Sequence, residues 1–350
     1  MKGFGWLAGT AAAIALAIVP AARAQAPDIT ALSQHMGPDR EARLVEGARK
    51  EGGVSLYTSL VVEDIGAAAA AFEKKYGIKV KYWRASSEKI LQRVLAEVRA
   101  GRHEFDVVET NGPELEALSR EKTLAAATSS HNADLLPAAV RPHRQWVGLR
   151  LNLFVQAYNT NLVKKAELPR SYQDLLDPKW KGKLAIEAED IDWFAAVVTD
   201  LGESTGLKLF RDIASTNGLT VRKGHTLLAG LVASGEAPLA LTLYNHNAER
   251  LKRKGAPIEW FAIQPAFARV NGIALGRAAP HPHAAVLFYD FMLSPEGQRI
   301  LQKADYVPTN LKLNDPATRL NLKFIDPAMV LDESGLWDRH FQDVVSRRPR

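Results

Sequence analysis

The feature that most constrains this chain is a strand, a helix and a second strand that follow one another within residues 51–84. Residues 54–58 form a short apolar run after a pair of glycines, which predicts a buried strand. Residues 65–76 are rich in alanine and predict a helix, and residues 78–83 alternate apolar and polar side chains as a second strand does. Such a unit builds a parallel sheet, because its helix carries the chain back to the start of the next strand.

Short apolar runs and helical periodicity continue to alternate along the chain, and this pattern predicts an α/β fold. The further predicted strands are residues 105–108, 183–187, 219–221 and 238–243. Residues 146–158 are extended for longer, with a break predicted at 150–152, and residues 269–275 would form a return crossing. Strands of this length indicate crossings between two lobes. We therefore expect residues 54–58 and 239–243 to lie in separate sheets.

Residues 1–24 predict a cleavable signal peptide. Lys2 supplies a positive start, residues 7–19 are apolar, and Ala22-Arg23-Ala24 fits the small-x-small cleavage pattern. The chain has no cysteine, so it lacks the residue on which a bacterial lipoprotein is anchored. We expect an exported protein that does not span the membrane, and the expected compartment is the periplasm.

The composition also narrows the function. The absence of cysteine excludes disulfides, thiolate metal sites and a cysteine nucleophile. The formal net charge is only +6, and the densest basic runs, 250–254 and 347–350, are typical of a solvated helix end and a chain terminus. We therefore expect no nucleic-acid partner.

Six segments, taken together and in order, resemble a known family. They are residues 56–59, 72–80, 105–108, 158–162, 177–183 and 293–298. The chain resembles the periplasmic solute-binding proteins of bacterial ABC importers (extracellular solute-binding family 1), in the branch that contains the ferric-ion-binding proteins. This resemblance implies a monomeric, non-enzymatic protein without a resident cofactor, whose two lobes close on a ligand by a hinge motion. It also implies an inner-membrane permease and an ATPase as partners.

The expected lobe boundaries combine the resemblance with the crossing strands. Lobe one would comprise residues 25–153 and, with the C-terminal helices, residues 269–350. Lobe two would comprise residues 154–268. The ligand would then lie in the cleft between the lobes, which is the usual place for a small-molecule site at a domain boundary.

The resemblance places ligand contacts on loops at the carboxyl ends of strands, where parallel sheets bind ligands in general. The candidate ligand-binding residues there are Thr58, Ser59, Glu109, Asn111, Asp192, Trp193, Arg222, His225, Tyr244 and Asn245. Arg222, with the helix start at Gly224-His225, would hold an anion by its charge and by free N–H groups. The alternative is that these residues only cap helices and form turns.

The cargo is left open between iron and an organic solute. Ferric-ion-binding members end the strand that matches residues 238–243 with adjacent tyrosines, whereas this chain has Tyr244-Asn245-His246. If iron(III) or a chelated metal is the cargo, Glu109 and Tyr244 are the expected metal ligands. Further oxygen donors are Glu187, Asp190 and Asp192. A small polar solute is favoured by the phenol, the amides and the helix amino terminus that meet at Tyr244.

One enzymatic pattern competes with these interpretations. Residues 202–206 match the G-x-S-x-G nucleophile elbow, with Ser204 as the nucleophile and His225 downstream. That elbow requires a strand immediately before the serine, whereas residues 193–201 predict a helix. An exported serine hydrolase that uses Ser204 is the alternative function.

Overall fold

The structure is a computed structural model that describes residues 28–346. The predicted signal peptide and the basic run 347–350 lie outside the described residues. The strands are β1 (Gly53–Thr58), β2 (Lys79–Arg84), β3 (Val107–Asn111), β4 (Val147–Asn159), β5 (Leu184–Glu187), β6 (Thr220–Arg222), β7 (Leu239–Tyr244), β8 (Ile258–Phe261), β9 (Ala266–Leu275), β10 (Val307–Pro308) and β11 (Leu322–Phe324).

The helices alternate with the strands, as an α/β fold requires. They are α1 (Ile29–Gln34), α2 (Arg40–Glu51), α3 (Val62–Tyr76), α4 (Ser87–Arg99), α5 (Gly112–Arg120), α6 (Ile191–Asp200), α7 (Glu203–Asn217), α8 (His225–Ser234), α9 (Asn245–Arg253), α10 (Pro282–Leu293), α11 (Pro295–Lys303) and α12 (Pro327–Val345). Short 3-10 turns lie between some of these elements.

The predicted strand–helix–strand unit is present as β1, α3 and β2. Strand β1 pairs in parallel with β2, with Val54 opposite Val80, and on its other side with β3, with Leu56 opposite Val107. Helix α3 ends at Gly77, whose φ of 74° lies in the left-handed region that glycine adopts without strain. The first half of the sheet therefore has the topology that the local sequence predicts.

Strand β3 is displaced from its predicted position. Residues 109–112 are expected as a polar loop, but β3 runs through Glu109 to Asn111, and Gly112 is the first residue of α5. The reason is antiparallel pairing with β9, in which Glu109 lies opposite Ile273 and Asn111 opposite Asn271. A distant strand thus extends β3 over residues that look like a loop in isolation.

The two halves of the sheet are joined, so the prediction of separate sheets is wrong. The hydrogen-bonded order is β2-β1-β3-β9-β4-β7-β5-β6. Strand β4 belongs to both halves, because residues 147–153 pair with β9 and residues 154–158 pair with β7. The predicted break at 150–152 is also absent. The register shifts between Gly148 and Arg150 instead, and such an irregularity bends a strand without ending it.

The C-terminal helices divide between the two halves. Helix α10 packs among the apolar residues of β1 and α3, where Phe288 meets the ring of Phe72 at a centroid distance of 5.1 Å. Helix α12 instead contributes Trp337 and Phe341 to the core of the middle segment, and Phe341 lies 5.4 Å from Phe194 of α6. The last helix therefore packs on the segment that we expect to form lobe two.

Candidate functional site

Near the ends of β1 and β3, the buried carboxylate of Glu109 accepts hydrogen bonds from the polar groups around it. Glu109 is 1% exposed, and its Oε2 accepts hydrogen bonds from Thr58 Oγ1 at 2.6 Å, Ser59 N at 3.0 Å and Leu60 N at 3.2 Å. Its Oε1 accepts from Arg150 Nη2 at 3.2 Å. Thr58, Ser59 and Glu109 are expected to bind ligand, and the structure brings the three together. Thr58 and Glu109 are buried and hydrogen-bonded to each other, so their ligand-binding role stays a prediction.

Arg150 is a site residue that sequence reasoning missed. It lies in the middle of β4, is 4% exposed, and donates from Nη1 to Asn152 Oδ1 at 2.6 Å. Its guanidinium lies over the ring of Tyr306, 4.6 Å from the centroid. The available signal was a cationic residue inside a strand of mainly apolar residues, since a buried arginine needs polar partners.

Asn111 ends β3 beside the return strand. Its Oδ1 accepts a hydrogen bond from Asn271 Nδ2 at 2.7 Å, and the residue is half-buried. Asn271 Oδ1 is buried and has no hydrogen-bond partner among residues 28–346. This amide pair lies where β3 meets β9. Asn271 also lies opposite Arg150 in the pairing of β9 with β4.

Four aromatic and imidazole rings form a column next to Arg150, and we call it the ring column. Tyr244 ends β7, and its ring centroid lies 3.7 Å from that of His225 and 5.5 Å from that of His246. His246 in turn lies 4.6 Å from Tyr306. Tyr244 and His225 are predicted site residues, and the structure brings them into direct contact. His246 and Tyr306 complete the column from α9 and from the chain before β10.

Burial sets the protonation of the column. It lowers the pKa of His246 well below the usual value, with the positive charges of Arg150 and Arg250 as further causes. It also raises the pKa of Tyr306 to about 12, against the opposing charge of Arg150. The imidazole of His246 is therefore neutral and the phenol of Tyr306 protonated at neutral pH.

The loops after β5 and β6 bring two carboxylates to one end of the column. Asp190 Oδ1 lies 3.1 Å from His225 Nε2, and Glu187 Oε1 accepts from Gly224 N at 2.6 Å. Glu187 Oε2 accepts from Glu189 N at 2.6 Å. Burial, and then the negative charge of Asp190, raise the pKa of Glu187. Oxygen donors were predicted at Glu187 and Asp190, and both lie beside His225.

The anion site at Arg222 and the start of α8 stays a prediction, and the local geometry does not support it. The amide of Gly224, which would bind an anion there, already donates to the Glu187 carboxylate. Arg222 is exposed, and its Nη1 donates to the neighbouring carbonyl of Val221 at 2.9 Å. An internal carboxylate thus occupies the helix terminus, which removes the partner that a solute anion would need.

Asp192 and Trp193 are adjacent in α6 but face different surroundings. Asp192 Oδ2 lies 3.0 Å from Arg269 Nη1, and burial raises the pKa of Asp192 while Arg269 opposes the shift. The Arg269 guanidinium also lies 5.6 Å from the Tyr244 ring centroid. Trp193 packs into the core against Tyr172, at 5.9 Å. Successive helix positions point about 100° apart, so the core position of Trp193 does not support its predicted role in ligand binding, which stays a prediction.

Polar atoms without partners concentrate around the column. The side chain of Asn245, the first residue of α9, makes only a long bond from Nδ2 to Asp305 O at 3.4 Å within residues 28–346, and its Oδ1 has no partner there. Within the described chain, further buried atoms here that lack hydrogen-bond partners are Arg150 Nε, Asp190 Oδ2, Asp192 Oδ2, His225 Nδ1, His246 Nδ1, Asn247 Oδ1 and Arg269 Nε. Most buried polar groups in proteins are paired, so this concentration indicates a place for a polar ligand.

Cavities open on two sides of this region. One, of about 390 Å³, is lined by Glu114, Asp192, Arg269 and α12. The other, of about 330 Å³, is lined by Asn245, Trp260 and Tyr306 among others. Both volumes lie near the lower end of the range for small-molecule sites.

The G-x-S-x-G pattern does not form a nucleophile elbow. Ser204 is exposed in the first turn of α7, after Gly202 with a φ of 83°. The element before Gly202 is helix α6, whereas the elbow requires a strand.

Comparison with known proteins decides the family. Residues 67–321 match the family model described as "Bacterial extracellular solute-binding protein". The chain belongs to this family. The resemblance found in the sequence and the α/β periplasmic-binding-protein fold are therefore confirmed. The protein binds a solute for a bacterial uptake system and is not an enzyme, which removes the serine-hydrolase alternative.

Relatives of the chain are named for different cargoes. It is 25% identical over 288 residues to iron uptake protein A1 of Synechocystis sp., covering 77% of this chain and 79% of the relative. It is 28% identical over 287 residues to a putative 2-aminoethylphosphonate-binding periplasmic protein of Salmonella typhimurium, covering 79% and 81%. The crystal structure of iron-bound HitA from Pseudomonas aeruginosa superimposes with a TM-score of 0.73 at 24% identity, over 83% of this chain and 99% of that one.

No helix within residues 28–346 has the length and apolar character to cross a membrane.

Proposed function

We propose that the protein is the periplasmic receptor of an ABC import system, which delivers its solute to an inner-membrane permease and its ATPase. The family assignment and the signal-peptide pattern of residues 1–24 support this role. Relatives named as periplasmic binding proteins support the compartment. The receptor acts as a monomer and needs no nucleic acid.

The two lobes of this receptor close through the crossing strands β4 and β9. Lobe one comprises residues 25–153 and the chain after 269, and lobe two residues 154–268, with α12 packed on lobe two. A contact between lobes supports closure, because Arg250 Nη2 of α9 lies 2.5 Å from Asp64 Oδ2 of α3. Ligand that binds both lobes favours this closed arrangement over an open one.

The cargo is a small polar organic solute that carries an anionic group. The observation that carries this proposal is the pair of guanidinium groups beside the ring column, Arg150 and Arg269, each with a buried Nε that has no partner in the described chain. Each guanidinium is held in place by a carboxylate, Glu109 or Asp192, and keeps further N–H groups for a ligand. Planar guanidinium groups suit carboxylates, phosphates and phosphonates.

Bare iron(III) is the less favoured cargo. Tyr244 is followed by Asn245 and His246, so β7 ends without the adjacent tyrosines of ferric-ion-binding members. The nearby Tyr306 has a pKa of about 12, and its phenol is therefore a poor source of phenolate.

Ligand binding tests this proposal. Purified protein is titrated with 2-aminoethylphosphonate, sugar phosphates, organic acids and ferric citrate, and Tm and calorimetric affinity are measured. One solute should bind per chain, and a solute at 100 times its Kd should add about 2.7 kcal/mol of stability. Arg269→Lys keeps a charge beside Asp192 but loses the planar fork, so affinity should fall about tenfold or more.

The matched control is Arg277→Lys, because the guanidinium of Arg277 donates only to the backbone oxygen of Leu124, at 3.3 Å, within the described residues. Its affinity should equal that of the unchanged protein. Iron binding with a visible charge-transfer band that disappears in Tyr244→Phe, without binding of any organic anion, would replace this proposal by ferric-ion transport.

A further inference from the structure

Three side chains with metal-binding donors meet in the wall of the cleft, and we call them the acid–imidazole cluster. Glu187 ends β5, Asp190 precedes α6, and His225 is the first residue of α8. One donor atom from each of the three lies within 4.8 Å of the donor atoms of the other two. Ligands of a shared tetrahedral ion lie about 3.4 Å apart when each bond is about 2.1 Å, so a small contraction would bring them into place.

The cluster contains donors that the protein itself does not use. Asp190 is 1% exposed, and its Oδ2 has no hydrogen-bond partner within residues 28–346. His225 Nδ1 is also unpartnered there, while His225 Nε2 contacts the other oxygen of Asp190. A buried carboxylate oxygen without a donor is costly, because burial strips it of water. The arrangement therefore lacks a cation or a proton donor.

Nearby cations do not supply that charge, because they are engaged elsewhere. Arg269 Nη1 lies 3.0 Å from Asp192 Oδ2. Lys223 Nζ lies 2.6 Å from Glu189 Oε1, and both of those side chains are largely exposed. The two carboxylates of the cluster thus face a single imidazole.

A purely structural role explains only part of the cluster. The two oxygens of Glu187 accept from Gly224 N and Glu189 N, and these bonds fasten the loop after β5 to the start of α8. They account for Glu187 but leave the second oxygen of Asp190 unpaired. Backbone donors of this kind also fix a carboxylate that binds a metal, as outer partners do in known metal sites.

We propose that Glu187, Asp190 and His225 bind one divalent transition-metal ion, of the zinc class, in the wall of the cleft. Two carboxylates and one imidazole form a mixed oxygen and nitrogen set that suits zinc and cobalt. The ion offsets the two buried negative charges. Three protein ligands leave a coordination position open, and the contact of His225 with Tyr244 places that position near the solute.

Cobalt titration tests the site, because Co²⁺ reports its ligands by visible absorption. Purified metal-free protein is titrated with Co²⁺ alone and then with Zn²⁺ alone as competitor. One Co²⁺ per chain should bind with a ligand-field band, and Zn²⁺ should remove the band. Asp190→Asn and His225→Ala should each weaken Co²⁺ affinity tenfold or more. Circular dichroism and the Tm of each metal-free variant verify folding.

The matched control is His281→Ala. It removes an imidazole that also contacts an aspartate, since His281 Nδ1 lies 2.9 Å from Asp106 Oδ2. Cobalt binding should be unchanged in this variant. No cobalt band in the unchanged protein, or an equal loss in the control, would overturn the proposal.

A third result would also overturn it. If Asp190→Asn lowers affinity for 2-aminoethylphosphonate while no metal binds, the cluster holds the ammonium group of a solute instead. The Arg269→Lys experiment is independent of this outcome, because it reports on the anionic group and not on the cluster. The import function and the metal site can therefore fail separately.

Discussion

Two edges of the same sheet carry buried carboxylates at or just after strand ends, and the protein satisfies these carboxylates to different extents. At the β1–β3 edge, Glu109 accepts from Thr58, from two backbone amides and from Arg150. At the β5–β7 edge, the carboxylate of Asp190 and the ring of His225 keep atoms without partners inside the described chain. Both edges carry buried polar groups, but of these two sets only the second has atoms without hydrogen-bond partners.

This difference separates the polar residues that maintain the fold from those that can bind a ligand. A buried carboxylate whose oxygens already accept hydrogen bonds maintains the fold and has little capacity left to bind a ligand. A buried donor or acceptor without a partner gains a hydrogen bond when a polar ligand binds, and such atoms surround Tyr244. Burial alone would have ranked Glu109 and Asp190 alike, since each is 1% exposed.

The largest expected effect on stability comes from a substitution at the β1–β3 edge, where the carboxylate of Glu109 is fully paired. Glu109→Gln removes the charge that faces Arg150, which leaves a buried cation unpaired. The free energy of unfolding should fall by about 3–5 kcal/mol, measured by urea denaturation. Glu187→Gln is the matched change at the other edge, and it should cost much less because Glu187 accepts from backbone amides and forms no ion pair within residues 28–346. Equal losses in the two variants would end the distinction between the edges.

A second prediction uses protons to probe the ring column. The pKa of His246 is lowered in the folded protein, so below about pH 6.5 the unfolded chain binds a proton that the native state excludes. Stability should therefore fall as pH drops below 6.5, with His246 contributing at most about 1.4 kcal/mol per pH unit.

His246→Gln should reduce that slope, measured from urea denaturation at several pH values between 7 and 5. His103→Gln changes an exposed histidine and serves as the control. A slope that is unchanged in His246→Gln would show that the column accepts a proton without loss of stability.

The third prediction compares the same substitution at each edge. Tyr244→Phe removes the hydroxyl beside the unpartnered atoms and should cost about 0.5–1.5 kcal/mol of solute binding, or roughly 2–12-fold in Kd. Tyr57→Phe is the control, because Tyr57 donates to Glu97 at 2.8 Å, on the far side of β1. Calorimetry should show unchanged affinity for Tyr57→Phe. A larger loss of affinity in Tyr57→Phe than in Tyr244→Phe would contradict this prediction, because it would place the solute at the β1–β3 edge.

The smallest expected effect concerns Arg222. Because this arginine is exposed and the amide of Gly224 is already occupied by Glu187, Arg222→Gln should change solute affinity less than twofold. A tenfold loss in the same calorimetric titration would restore the anion site at the start of α8.

Local sequence predicted the parts of the site that depend on neighbouring residues. Tyr244 follows the mainly apolar run 238–243, so its position at the end of β7 could be predicted from the sequence pattern. The family resemblance placed His225 among the site loops, and the structure makes it the first residue of α8. The surroundings of Trp193 and Arg222 could not be predicted, because the direction in which a side chain points depends on what packs against its element.

The sequence by itself determined the α/β order, the β1–α3–β2 unit and the family, since these rest on periodicity and on short motifs in order. Only the tertiary structure decided which charges are paired. Arg150 meets Glu109 from 41 positions away, and Arg269 meets Asp192 from the return strand. A hydrogen-bond partner at such a separation is set by strand register and sheet order. Neither is a property of the residues beside it in the chain.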